Sequence, residues 1–181
     1  MRYEQLLTLK NGKPCLLRSA GAADGPEVLE VFRLTHGETD YLLSQPEEIS
    51  FTPEQEAEFL AKKEADPREL ELCAVVDGKI VGTAGIEAVG RYRKVRHRAA
   101  FGVSVVRAYW GMGIGRALTQ ACIGCARSAG YAQLELEVIT ENAAALALYE
   151  SVGFTALGRN PRGMRARDGH WQETALMALA L

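Results

Sequence analysis

Val105-Val106-Arg107-Ala108-Tyr109-Trp110-Gly111-Met112-Gly113-Ile114-Gly115-Arg116-Ala117-Leu118 places three glycines at alternate positions between an extended apolar run and a helical one. Glycine lets a backbone turn through left-handed conformations and approach a ligand closely, and the first N–H groups of a helix have no internal acceptor. The combination suits an anion, most often a phosphate. A plain glycine-rich loop is the competing reading, because one glycine pattern is a weak signal. Of two other phosphate sites, one fails on the letters and one stays as a minor alternative, with Glu135 at about the right distance for a ribose contact. A P-loop requires Lys and then Ser or Thr after its last glycine, where this chain has Arg116-Ala117. A dinucleotide turn needs Gly-x-Gly-x-x-Gly at a strand end, but Arg116 takes its last glycine's place and Arg107 to Trp110 separate strand from turn.

Outward from the turn, the elements alternate. Downstream, Leu118, Ala121, Cys122 and Cys125 make a helical stripe, and Leu134 to Val138 alternates as a strand. Asn142 to Ser151 reads as a short helix stopped by Gly153, then Phe154 to Leu157 opens a strand and Glu173 to Leu181 ends the chain in another. Upstream, Ala99 to Val106 is a strand, preceded by the basic stretch Arg91 to Arg98. Asp77-Gly78 joins Glu71–Val76 to Lys79–Val89 as a hairpin, and Asn11-Gly12 signals another near the start. Thr52-Pro53-Glu54-Gln55 is a capped helix start running to about Ala65, and an earlier helix carries Val28, Leu29, Val31, Phe32 and Leu34. This order predicts a mixed α/β sheet covered by helices.

The chain has 181 residues, 48% of them apolar, and a net charge of −2. That length predicts one domain with a real core. No apolar run reaches the roughly 18–20 residues of a membrane span, and the first residues lack a signal-like apolar stretch, so a soluble, cytoplasmic protein is expected. The four cysteines read as reduced core thiols, with Cys122 and Cys125 on the helix stripe and no second pair to make a zinc site. Three scattered histidines offer no metal-ligand spacing, and no metal is expected. The Arg91–Arg98 cluster reads as a solvated hairpin loop, and no nucleic-acid partner is expected.

A second segment makes the glycine turn specific. Asn142-Ala143-Ala144-Ala145-Leu146-Ala147-Leu148-Tyr149-Glu150-Ser151-Val152-Gly153-Phe154 resembles the Asn-x-x-Ala-x-x-Leu-Tyr-x-x-x-Gly-Phe segment of the GNAT superfamily of N-acetyltransferases. Val105 to Leu118 resembles the acetyl-coenzyme A segment of the same superfamily, Arg/Gln-x-x-Gly-x-Gly/Ala, with Trp110 in the Arg/Gln place. The likeness covers Leu72 to Leu181; Met1 to Leu70 fits in element order only. It implies an α/β (α+β) fold with a mixed sheet of about six or seven strands, mostly antiparallel with splayed central strands, flanked by about four helices. One domain over 1–181 would comprise an N-terminal β extension (1–13), a variable substrate side (14–70) and an acetyl-CoA-binding core (71–181).

The resemblance also implies roles. The pantetheine arm would lie between the splayed strands, bonded to backbone at Val103 and Val105. The turn formed by Gly111, Met112, Gly113, Ile114, Gly115 and Arg116, beside Trp110, would hold the pyrophosphate, and Asn142 would help position the cofactor. Tyr149 matches the usual general acid, a hydroxyl that protonates the leaving thiolate; without the motif it reads as a packed aromatic. Many members carry a basic Glu on the strand before the turn, but Ala99-Ala100-Phe101-Gly102-Val103-Ser104 contains no acid. Glu87 and Glu137 are the candidates, against an alternative of ordinary strand acids.

The expected reaction is transfer of acetyl from acetyl-CoA to a primary amine of a small molecule or peptide by direct attack on the thioester. The alternative is a non-catalytic acyl-CoA-binding sensor or interaction domain. Expected partners are acetyl-CoA and an amine, with a homodimer left open. Charge divides with these roles: residues 1–90 sum to −8 and residues 91–181 to +6. The basic portion holds the cofactor motifs, and the acidic portion, including Glu38, Asp40, Glu47 and Glu48, predicts a cationic amine.

Overall fold

Near-continuous burial along Leu70–Val76 and Lys79–Ala88 follows from covering both sheet faces. In the computed structural model, which describes residues 1–181, the elements run β1 (Glu4–Thr8), β2 (Pro14–Ser19), α1 (Gly25–Glu38), α2 (Pro53–Ala65), β3 (Leu70–Val76), β4 (Lys79–Ala88) and β5 (Arg98–Val105). They continue with α3 (Ile114–Ser128), β6 (Gln133–Ile139), α4 (Ala143–Ser151), β7 (Thr155–Arg165) and β8 (Trp171–Ala180). All eight strands join one sheet in the order β1-β2-β3-β4-β5-β6-β8-β7. Every pairing is antiparallel except β5 with β6.

Leu72, Ala84, Ile86, Ala99 and Phe101 project to one face, where they bury Leu118, Cys122 and Ala126 of α3. Cys73 projects to the other face and packs under Val28 and Val31 of α1 and Leu60 of α2. All four cysteines are free and buried, as core thiols should be. No helix is long and apolar enough to cross a membrane.

The local signals act as their chemistry requires. Thr52 and Gln55 form the reciprocal cap of α2, with bonds of 3.3 and 2.9 Å, and Pro53 opens the helix. Asp77 and Gly78 both take positive φ, 51° and 78°, the conformation of a tight hairpin turn.

The sheet has eight strands instead of six or seven. The Asn11-Gly12 hairpin contributes both of its arms, and β2 joins β3 directly. β7 extends to Arg165, far past Leu157. Its outer half, Gly158 to Gly163, has no apolar alternation and is extended because β8 pairs with it around two irregularities.

Candidate functional site

The sheet opens in its middle. β5 and β6 pair only over Arg98–Ala100 and Gln133–Glu135, after which β6 remains paired with β8 alone. Arg98 staples the junction, its Nε and Nη2 each donating to a Glu135 carboxylate oxygen at 2.6 Å. That pairing holds the Glu135 carboxyl below its ordinary range. The β4–β5 register is unbroken, and its ends bond through Val89 N–H to Arg98 O (3.2 Å) and Val106 N–H to Val81 O (2.9 Å). Antiparallel strands alternate the direction of their backbone groups. Even-numbered residues of β5 therefore bond β4, and beyond the last β5–β6 pair the C=O of Phe101 and the N–H and C=O of Val103 and Val105 face the opening. These include the two residues expected to meet a pantetheine arm. One group is engaged: Trp110 Nε1 donates to Val105 O at 2.6 Å.

The opening leads to the glycine turn. Gly111 and Gly113 have φ of +76° and +98°, values that a residue with a Cβ adopts at a cost. No atom lies within 4 Å of a Cβ built on either one, so the space above them is free. Gly113 caps α3, and the first helical bond runs from Ala117 N–H to Gly113 O. The N–H groups of Ile114, Gly115 and Arg116 precede that bond and can meet an anion. Arg116 adds a cation, and no acid stands in the first turn. Met112 accepts from the Lys10 backbone at 3.3 Å, which ties the turn to the β1–β2 hairpin. Trp110 is half exposed with Arg107 5.3 Å from its ring. The residues present therefore fit a pyrophosphate.

Tyr149 projects from α4 into an aromatic trio, 6.2 Å from Phe101 and 5.8 Å from Phe154 between ring centres. Burial pushes its phenol up to about 12, so it is a protonated donor at neutral pH. Asn142 spends its side-chain oxygen capping α4, accepting from Ala145 N–H at 3.2 Å. Its amide nitrogen and the second lone pair of that oxygen are left for a ligand.

The two candidate bases separate. Glu87 stands directly opposite Ala100 in the β4–β5 register and lines a cavity of about 600 Å³ between the sheet and helices α1 and α2. Cross-strand neighbours have Cβ atoms roughly 4.5–5.5 Å apart on one face, so Glu87 offers its carboxylate beside the position where β5 lacks one. Glu137 is exposed on β6, outside that cavity, and its carboxylate accepts the Thr174 hydroxyl.

Sequence reasoning missed the cavity's other charges. Lys63 of α2 and Glu71 of β3 pair at 2.9 Å inside it. Burial pushes the Glu71 carboxyl up against the opposing pull of Lys63. Gly85 makes room for the pair, because a Cβ there would collide with Glu71 Oε2. The available signal was Glu71 itself, the one acid in an otherwise apolar strand. Of the acids expected to draw a cation, only Glu48 lines the cavity. Glu38 accepts the Arg107 backbone N–H at 2.7 Å, and Asp40 pairs with Arg167 at 2.7 Å. Both are committed to holding the segment after α1 in place.

The site thus combines a split sheet, a glycine turn that follows β5 and a cavity between the sheet and helices α1 and α2. The chain belongs to the acetyltransferase (GNAT) family, whose family model matches residues 36–154. It is 42% identical over 88 residues to the N-alpha-acetyltransferase RimI of Mycobacterium tuberculosis, covering 49% of this chain and 53% of that protein. The chain thus spans about half the length of the curated relatives it matches. Among solved structures, a GNAT-family acetyltransferase from Streptococcus pneumoniae superposes with a TM-score of 0.89 at 30% identity, covering 92% of this chain and 99% of that one. The yncA putative acetyltransferase of Salmonella typhimurium, solved with its cofactor acetyl-CoA, shares the fold at a TM-score of 0.81 and 22% identity, over 91% of this chain and 92% of that one.

Proposed function

We propose that this chain is an acetyl-CoA-dependent N-acetyltransferase that transfers acetyl directly to a primary amine. The observation that carries the reading is the open edge of β5: beyond Ala100 it has no β6 partner, and Val103 and Val105 turn their backbone groups away from β4 into that opening. Val103 and Val105 would hold the pantetheine arm, and the amides of Ile114, Gly115 and Arg116, with the Arg116 side chain, would hold the pyrophosphate. When bound, acetyl-CoA supplies the acetyl group already activated as a thioester.

The protein's own groups complete the chemistry. The amine acceptor arrives protonated at neutral pH and must lose a proton before attack. Glu87 takes that proton, directly or through a water, from the cavity side of the gap. The N–H of Val103 donates to the oxygen on which charge develops. The Tyr149 hydroxyl, kept neutral by burial, donates its proton to the departing thiolate. Glu137 has no part in this scheme. Residues 14–70 supply helices α1 and α2 to the acceptor side, residues 71–181 carry the cofactor side and close the acceptor cavity from the sheet, and the reaction takes place in the cytoplasm.

A non-catalytic acyl-CoA-binding domain was suggested by the missing acid on β5; the register of Glu87 against Ala100 favours the enzyme. The test is release of free thiol from acetyl-CoA in the presence of an amine panel, with mass analysis of the acetylated product. Amine-dependent release supports the proposal. Tight coenzyme A binding with no release for any amine contradicts it.

A further inference from the structure

The walls of the acceptor cavity are apolar and aromatic. Phe32 comes from α1, Phe59 from α2, and Ile49 and Phe51 from the segment between them. Phe51 and Phe59 meet edge to face, with ring centres 6.4 Å apart. Such a space of about 600 Å³ fits a molecule of one or two rings.

Its charges are one-sided. Four carboxylates line it, those of Glu48, Glu56, Glu71 and Glu87, and no arginine does. Lys63 is the one permanent cation on its wall. It is spent on Glu71 at 2.9 Å, with its side chain only 7% exposed. His36 also lines the cavity, but burial lowers its pKa, outweighing the opposing pull of the Phe32 carbonyl 2.7 Å from its Nδ1, so it stands neutral. An anionic group on the acceptor would therefore lose its water without gaining a counter-charge, beside carboxylates of its own sign. Glu56 and Glu87 take part in no ion pair and can each receive an ammonium.

We infer that the acceptor is a primary amine with an apolar body of aromatic size and no carboxylate or phosphoryl group of its own, an inference that rests on the transferase reading. This chemistry has two sources. One is a free arylalkylamine; the other is the N-terminal residue of a peptide, whose carbonyl is an amide.

Three probes test it: 2-phenylethylamine, phenylalaninamide and phenylalanine, which share a ring and an amine and differ at the carboxyl position. They are compared at equal concentrations of unprotonated amine. The expected kcat/KM of the amine or the amide exceeds that of phenylalanine by at least about 100-fold. The amine leading indicates the free-amine source, and the amide leading indicates a peptide N-terminus. Phenylalanine turned over as well as the other two would overturn the inference and leave the transferase reading standing. If no probe releases thiol, calorimetry of the same three on the coenzyme A complex decides. Binding of amine or amide about 100-fold tighter than phenylalanine then supports this acceptor class while counting against catalysis, and equal binding overturns the class. Glu56→Lys supplies the missing counter-charge and should narrow the preference by about tenfold; an unchanged preference would refute the charge argument.

Discussion

Replacing Tyr149 by Phe removes one hydroxyl and leaves the ring where it is, edge-on to Phe101 at 6.2 Å and tilted on Phe154 at 5.8 Å. Because the aromatic trio keeps its packing, the change in stability should stay under about 1 kcal/mol. Without the hydroxyl, the thiolate departs unprotonated or takes its proton from water. A positioned general acid contributes a factor of roughly 10²–10⁴, equivalent to about 2.7–5.5 kcal/mol of barrier. The phenol is pushed up to about 12, so it stays protonated from pH 6 to 9 and the loss should be constant across that range. Thiol release at saturating acceptor gives kcat, calorimetry gives the coenzyme A affinity, and thermal unfolding gives the stability. The expectation is a fall in kcat with the other two nearly unchanged. An unchanged kcat would refute the acid role, and a fall in kcat matched by a fall in Tm would assign Tyr149 to packing.

Three further perturbations probe separate parts of the account. Glu87→Gln should lower kcat by roughly 10²–10⁴ near pH 7 with coenzyme A affinity intact, while Glu137→Gln should leave both unchanged in the same thiol assay. Gly113→Ala meets no atom within 4 Å, so its cost comes from φ of +98° alone. That cost is about 1–2 kcal/mol, a Tm drop of roughly 2–8 °C for a chain of this size, accompanied by weaker coenzyme A binding in calorimetry. Glu135, held below its ordinary range by Arg98, stabilises the fold fully above its unfolded value and loses that contribution as pH falls through its lower native value. The Tm difference between the wild type and Glu135→Gln should therefore be greatest near neutral pH and shrink on acidification below about pH 4.5, the ordinary glutamate value.

The parts of the fold legible in the letters are those set by local chemistry. Gly111, Gly113 and Gly153 sit at positive φ, and Thr52, Pro53 and Gln55 start α2 as their side chains dictate. The Leu118–Cys122–Cys125 stripe is buried as its spacing predicts. What was illegible depends on partners distant in sequence. β7 beyond Leu157 owes its extension to β8, not to its own residues. Glu87 gains its meaning from Ala100 across the register, which no local pattern reveals. Glu38 and Asp40 read as free acids in the letters, but the Arg107 backbone and the Arg167 side chain, distant in sequence, engage them. The cavity combines α1, α2, β3, β4 and β5, and the pairing of Lys63 with Glu71 arises only where α2 packs over β3.

The central claim is that the open edge of β5 and the glycine turn together receive the cofactor. Titrating coenzyme A into isotopically labelled protein and following backbone amide resonances tests this directly. The account predicts that the largest shifts fall on Val103, Val105, Ile114, Gly115 and Arg116, with Leu72 and Ala74 of β3 unmoved. Shifts confined to another surface, such as the outer strand β7 at the far edge of the sheet, would contradict it.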